Sequence, residues 1–266
     1  MNETQTQETQ KVESRDVIRT PRMEICLNEN QKEFLKTLDT FDNSVFSNGT
    51  KVDVVGMIAG IKTTASLCET DRESITSENK FKKLRQLLEK TGIKVRIDSE
   101  YPVSYTRDEK GNLQPSFFVR SAILYKSEEV AQRDQILTDK ANKTEEDEKK
   151  IGRLLGYPDT STEAFLNKTE RIKTEEAFDL LGQIDFAPLF QQLVMSRKNF
   201  REEIDLYGRI IMETMKKYMP KSYIEYLKGH GFPEEYIKMV HNGLEPAGEK
   251  KYIHWVQRFT ITPIEE

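Results

Sequence analysis

The residue types of a phosphate-binding loop occur together at Gly56-Met57-Ile58-Ala59-Gly60-Ile61-Lys62-Thr63. Such a loop, G-x-x-x-x-G-K-[ST], curls glycine backbone N–H groups round a phosphate and follows them with a lysine and a hydroxyl. Here the two glycines are one residue too close, and Ile61 separates Gly60 from Lys62. A β-branched side chain takes the φ > 0 geometry of the loop poorly. The stretch therefore reads as a buried strand whose glycines permit close packing. Lys62, Thr63 and Thr64, at its end, are the side chains that could meet a small anion. A second set of cations, Arg197, Lys198 and Arg201, gathers where a helix begins, and the helix macrodipole favours an anion there. The same residues also suit a solvated face, with an i,i+4 pair from Lys198 to Glu202.

Other chemistries have less to work with. His230, His241 and His254 match no metal spacing, and His230, between two glycines at a helix end, suits carbonyl capping. No metal site and no cofactor is expected. Cys26 and Cys68 form no C-x-x-C motif and sit in apolar company, which predicts two buried free thiols in a reducing compartment. Nothing resembles a G-x-S-x-G nucleophile elbow. Tyr101, Tyr105, Phe117 and Phe118 have the types to stack on bases from a sheet. Against that, 41 basic and 45 acidic residues leave a net charge of −4. Such a chain has no general attraction for nucleic acid or an anionic membrane, so core packing is the expected use of these aromatics. No stretch approaches the ~18 consecutive apolar residues of a membrane helix, and Met1–Gln10 lacks the apolar centre of a signal peptide. A cytoplasmic protein with no membrane partner is the expectation.

The elements that must position these residues follow from pattern. Residues 1–20, rich in Glu, Gln and Thr, cannot bury enough apolar surface to offset their ordering entropy, which predicts a disordered tail. Asn28–Leu38 reads as a short helix capped by Asn28 or Asn30. Lys51–Ala59, a near-continuous apolar run, reads as a strand covered on both faces. Phe81–Lys90 is an amphipathic helix with Gly92 beyond its end, and Ile93–Ile97 alternates as a half-buried strand. Tyr101–Arg107 and Ser116–Tyr125 flank the turn residues Asp108–Asn112, which predicts a hairpin.

Helices are expected from there on: Ser127–Lys140, Lys143–Leu155 capped by Thr144, a short one through Phe165, Thr174–Leu181, and Lys198–Tyr218. In the last, Phe200, Ile204, Tyr207, Ile211, Met215 and Tyr218 fall on one stripe. Pro220 and Pro233 open two more helices, and Tyr252–Ile261 alternates as a strand. The expected fold is α+β, with a small mixed sheet in residues 50–126 and a mostly helical C-terminal half. The expected organisation is a tail at 1–20, an α/β lobe at 21–140 and a helical lobe at 141–266, the two lobes being either separate or one continuous domain.

The most distinctive phrase is Ile151-Gly-Arg-Leu-Leu-Gly-Tyr-Pro158-Asp-Thr-Ser-Thr-Glu-Ala-Phe165. It resembles the L-G-Y-P-x-C-C-x-x-F signature of a small prokaryotic family of uncharacterised proteins. Leu155, Gly156, Tyr157, Pro158 and Phe165 carry the match, with six intervening residues before the phenylalanine instead of five. Thr160, Ser161 and Thr162 occupy the region of the cysteine pair, so the resemblance transfers no metal or redox chemistry to this chain. Physically, Gly156 ends one helix, Pro158 prevents its continuation, and Tyr157 is a lid or packing residue at the corner.

Two functions are consistent with these residues. The first is a non-catalytic binding or interaction module with a protein partner. The second is an enzyme for a small anionic, phosphorylated substrate, held by Lys62, Thr63, Thr64, Arg197, Arg201 and Tyr157.

Overall fold

A computed structural model describes residues 25–69, 75–181 and 185–241. The expected tail at 1–20 and the expected strand at 252–261, with His254, lie outside the described residues. Helix α1 (Glu29–Asp39) starts where its cap predicts: Asn28 accepts from the Gln31 N–H at 2.9 Å, and the Gln31 side chain accepts from the Asn28 N–H. This reciprocal box satisfies two orphan donors at once. Phe34, Leu35 and Leu38 turn inward, as their spacing requires.

The run expected as the clearest strand is instead helix α2 (Asn48–Ile58), capped by Ser47, whose hydroxyl accepts from the Thr50 N–H at 3.2 Å. A continuous apolar run fits a doubly covered strand and a buried helix equally well. Tertiary position decides: α2 packs against α1, α9 (Ile210–Tyr218), α10 (Pro220–Gly229) and the sheet, so it is apolar nearly all round. Within it, Lys51 is fully buried. Its ammonium donates to the Phe41 carbonyl at 2.7 Å and to Asn43 Oδ1 at 3.2 Å, with Glu225 of α10 at 3.8 Å. Burial pushes this lysine's pKa down, and Glu225 opposes the shift.

The fold is α+β, as expected, but its three-stranded sheet is antiparallel in every pairing, where a mixed sheet was expected. The chain enters it at β1 (Thr64–Glu69), a strand the pattern did not suggest, and its second cysteine, Cys68, lies there. Helix α3 (Ile75–Lys90) then leads to β2 (Lys94–Arg107), a single long strand in place of the two short ones expected. Irregular register near Ile97–Ser99 and Pro102–Tyr105 marks where the alternation breaks without ending the strand. The hairpin partner β3 (Leu113–Tyr125) is central, in the order β1-β3-β2. Its turn is the expected one: Asp108 Oδ1 accepts from the Lys110 and Asn112 N–H groups at 2.9 and 2.8 Å, and Gly111 takes φ +82°.

Helices dominate the remainder: α4 (Glu128–Thr138), α5 (Glu145–Leu154), α6 (Asp159–Leu166), α7 (Thr174–Leu181), α8 (Phe200–Glu203), α9, α10 and α11 (Glu234–His241). A two-residue ladder pairs β4 (Arg171–Ile172) with β5 (Met195–Ser196). Between α8 and α9 the expected single helix is wound as a π-helix over Ile204–Arg209. One hydrophobic core draws on both halves of the chain, from Phe34, Val55, Leu67 and Leu124 to Ile211, Met215 and Leu227. A smaller cluster, including Ile172, Met195, Phe200 and Ile204, lies under the β4–β5 ladder. The free thiol of Cys26 is exposed, against the expectation of burial, because Cys26 stands in the segment before α1 and outside its apolar face.

The π segment admits no side chain at Gly208, where a Cβ would stand inside contact distance of the Ala187 carbonyl oxygen and carbon. Backbone cannot yield as a flexible side chain does. Gly208→Ala is therefore expected to lower stability by about 2–3 kcal/mol, seen as a fall of several degrees in the thermal denaturation midpoint. An unchanged midpoint would show that the Ala187 turn can retreat freely.

Candidate functional site

Two corners of the chain meet at the expected site residues. The first is the turn from α2 into β1, which carries Ile61, Lys62 and Thr63. The second is the end of α5, where Leu155 caps the helix and Gly156 turns at φ +76°. The Tyr157 N–H then returns to the Gly152 carbonyl at 2.9 Å, and Pro158 opens α6. Their backbones nearly touch. A Cβ on Gly156 would lie 2.8 Å from both the Ile61 carbonyl oxygen and the Lys62 Cα. The expected helix terminator thus has a second task, since only glycine lets these turns approach so closely.

Lys62, Thr63, Thr64 and Tyr157 are brought together here. The Lys62 ammonium is buried and paired with Asp53 of α2, and it lies 5.5 Å from the centre of the Tyr157 ring. Asp53 also accepts from the Ser66 N–H at 2.7 Å, so one carboxylate ties helix to strand. Thr64 is the buried first residue of β1, and the Thr63 hydroxyl, also buried, makes no hydrogen bond among the described residues. Gly56 provides the room for the lysine stem: its missing Cβ would sit 3.0 Å from Lys62 Cδ. The glycine of the would-be phosphate loop therefore accommodates a side chain of the same loop.

Arg197 and Arg201 serve a different contact. Arg197 grips Glu176 of α7 with both guanidinium nitrogens and donates to the Arg171 carbonyl at 3.2 Å. This pairing raises the Arg197 pKa and lowers that of Glu176. Arg201 donates to the Leu180 carbonyl at 3.3 Å and lies over the Phe200 ring. Both arginines clasp α7. Lys198 pairs with Glu170 at 4.0 Å instead of the expected Glu202. His230 caps as its position suggested, its Nδ1 2.8 Å from the Tyr226 carbonyl and its ring stacked on Tyr226.

Between these two groups lies a cleft of about 460 Å3, within the ~300–1,000 Å3 of small-ligand sites. Glu145 and Lys149 of α5, Thr160 and Glu163 of α6, Glu170, and Ser196 with Lys198 form its walls. The residue beneath it was not singled out from the sequence. Glu203, 2% exposed, accepts from Thr160 Oγ1 at 2.6 Å and from the Ser196 N–H at 2.7 Å, and both donors belong to lining residues. Burial raises its pKa, while the Thr160 and Ser196 donors partly offset the shift. Position carried the clue: Glu203 follows Phe200 by three and precedes Tyr207 by four, which places it on the apolar stripe. Tyr207, one turn on, donates to the Gly156 carbonyl, and burial pushes its pKa up to about 12. The π-helix therefore joins the cleft floor to the corner that holds Lys62.

The fold and the cleft define an α+β protein with a polar groove set over a buried carboxyl. Compared with protein families, curated proteins and solved structures, the chain matches none. Among the described residues no group of three His, Cys, Asp or Glu could hold a metal, and no helix is long and apolar enough to cross a membrane.

Removing one member of the Lys62–Asp53 pair strands a desolvated charge. Lys62→Met is expected to cost about 2–4 kcal/mol in urea unfolding, with more than half regained in Lys62→Met/Asp53→Asn. No recovery in the double variant would place the cost in packing against Gly56. Glu203 gives a pH signature with a definite sign. A raised folded-state value means the native state holds this proton more tightly, a gain complete below about 4.5 and lost as pH rises through the folded value. The stability of the wild type relative to Glu203→Gln should therefore fall as pH increases over that window. A flat difference would show the carboxyl to be effectively solvated.

Proposed function

We propose that this protein is a non-catalytic interaction module that takes an extended, basic segment of a protein partner in the cleft between α5, α6 and the β5–α8 turn. One observation carries the proposal: the cations expected to hold an anion are already committed within the fold, Lys62 to Asp53 and Arg197 to Glu176. Freeing either would leave a carboxylate unpaired at that same position.

The cleft supports the choice of partner. Three carboxylates, Glu145, Glu163 and Glu170, face two ammonium groups, Lys149 and Lys198. Lys149 lies 3.2 Å from Glu145 and Lys198 4.0 Å from Glu170, while Glu163 makes no ion pair among the described residues. The unbalanced charge is negative. Exposed pairs contribute only about 0.2–1 kcal/mol each, so the charges set orientation and partner choice, and contact area supplies the affinity. Beside them the Phe165 ring is half exposed under the Arg171 guanidinium, as an aromatic contact for a partner chain.

Two measurements on the full chain test this. Selection from a random-peptide display should enrich peptides bearing Lys or Arg, and Glu163→Lys should weaken them at least tenfold. Native mass spectrometry with inorganic phosphate, ATP and GTP in the presence of magnesium should show no stoichiometric adduct. Failure to enrich any peptide sinks the proposal. An anion adduct abolished by Lys62→Met or Arg197→Ala replaces it with an enzyme for a phosphorylated substrate, held by Lys62, Thr63, Thr64, Tyr157, Arg197 and Arg201.

A further inference from the structure

A second cavity, of about 500 Å3, opens on another part of the molecule, where the turn after α2, the turn after α3 and the start of α1 converge. Its walls differ in kind from those of the cleft. Leu27, Met57, Ile58, Ile93 and Ile210 supply an apolar wall, beside the polar groups of Gln31, Thr91 and the glycine turns. Among the described residues, no Asp or Glu lines it. The one cation in the lining, among the described residues, is Lys126, exposed directly after β3 and without an ion pair there. Its backbone is fixed, since the Lys126 N–H donates to the Thr63 carbonyl at 2.9 Å. A concave site with an apolar wall and a few convergent polar groups is the make-up of a small-molecule site.

From these features we infer a binding site for an amphipathic monocarboxylate, its hydrocarbon tail between Leu27, Met57, Ile58 and Ile210 and its carboxylate paired with Lys126. The ends of α2 and α3 bring backbone carbonyls to the same rim, and each helix end carries about half a negative charge. Both ends are already satisfied: Gly60 and Ile61 N–H groups return to the Met57 and Gly56 carbonyls, and the Thr91 hydroxyl and Gly92 N–H to the Leu88 and Glu89 carbonyls. The full charge of Lys126 therefore sets the sign of the head group. This site shares no residue with the cleft, so it stands whether or not the cleft takes a protein segment.

Cys26 provides the readout, because its exposed thiol lies on the cavity wall. The full chain is alkylated with iodoacetamide, and modification of Cys26 is followed by peptide mapping with octanoate, octanol or octylamine present. Octanoate should slow modification of Cys26 in a saturable way, with octanol needing roughly ten times the concentration and octylamine more, as expected for loss of one ionic contact of about 1.4 kcal/mol. Lys126→Ala, at an exposed position, should leave the unfolding midpoint unchanged and erase the preference for octanoate over octanol. Protection by octylamine equal to or better than octanoate overturns the inference, as does unaltered octanoate protection in Lys126→Ala. So does the absence of protection by octanoate at millimolar concentration.

Discussion

Most of the architecture hangs on one close approach, the Gly156 turn lying against the backbone of Ile61–Thr63. The two turns touch at backbone distance because no Cβ at Gly156 stands between them, and its φ of +76° supplies the reversal of direction. Around that contact the polar groups are arranged to offset their burial. Lys62 finds Asp53, Asp53 reaches on to the Ser66 N–H, and the Gly156 carbonyl receives the Tyr207 hydroxyl. The sheet half and the helical half are joined by these bonds as well as by the shared apolar core, which runs from Phe34 to Leu227.

Several charges of this protein are committed to such internal ties. Lys51 is buried completely and links the Phe41–Asn43 loop to Glu225 of α10. Arg209 spans from Asp205 to Asp185, and Lys221 reaches Asp42. A buried cation left without its partner costs several kcal/mol, so Lys51 in particular favours one arrangement of these helices against the alternatives. The same economy argues against an anion site built from Lys62 and Arg197. The partner site we propose is the rim of the cleft at Glu163, and the carboxylate site we infer is the cavity beside Lys126.

Glu203 connects two of these themes. It sits in the helical stretch leading into the π segment, beneath the cleft, and it is held by one hydroxyl and one backbone N–H. Burial of a carboxyl with so few donors shifts it toward the neutral form. A π turn inserts an extra residue into the helix and alters which side chains face inward. Here that rearrangement accompanies the close seat of Gly208 on Ala187 and the placement of Tyr207 against Gly156.

Local rules in the sequence determined the ends of elements well. Asn28, Ser127 and Thr144 cap the helices their chemistry suits, Asp108–Asn112 makes the hairpin turn, and Gly156 with Pro158 forms the corner. Each depends on hydrogen bonds within four residues, which sequence spacing states outright. The α+β class and the helical second half follow from the same periodicities. Lys51–Ala59 went the other way, because a run apolar on every side has no period to report, and only its position among α1, α9, α10 and the sheet made it a helix. Strand β1, the closeness of Lys62 to Tyr157, the commitment of Arg197 to Glu176 and the place of Glu203 under the cleft all depend on long-range pairings. Such pairings are chosen by burial and charge across residues distant in sequence, and no local pattern encodes which partners meet.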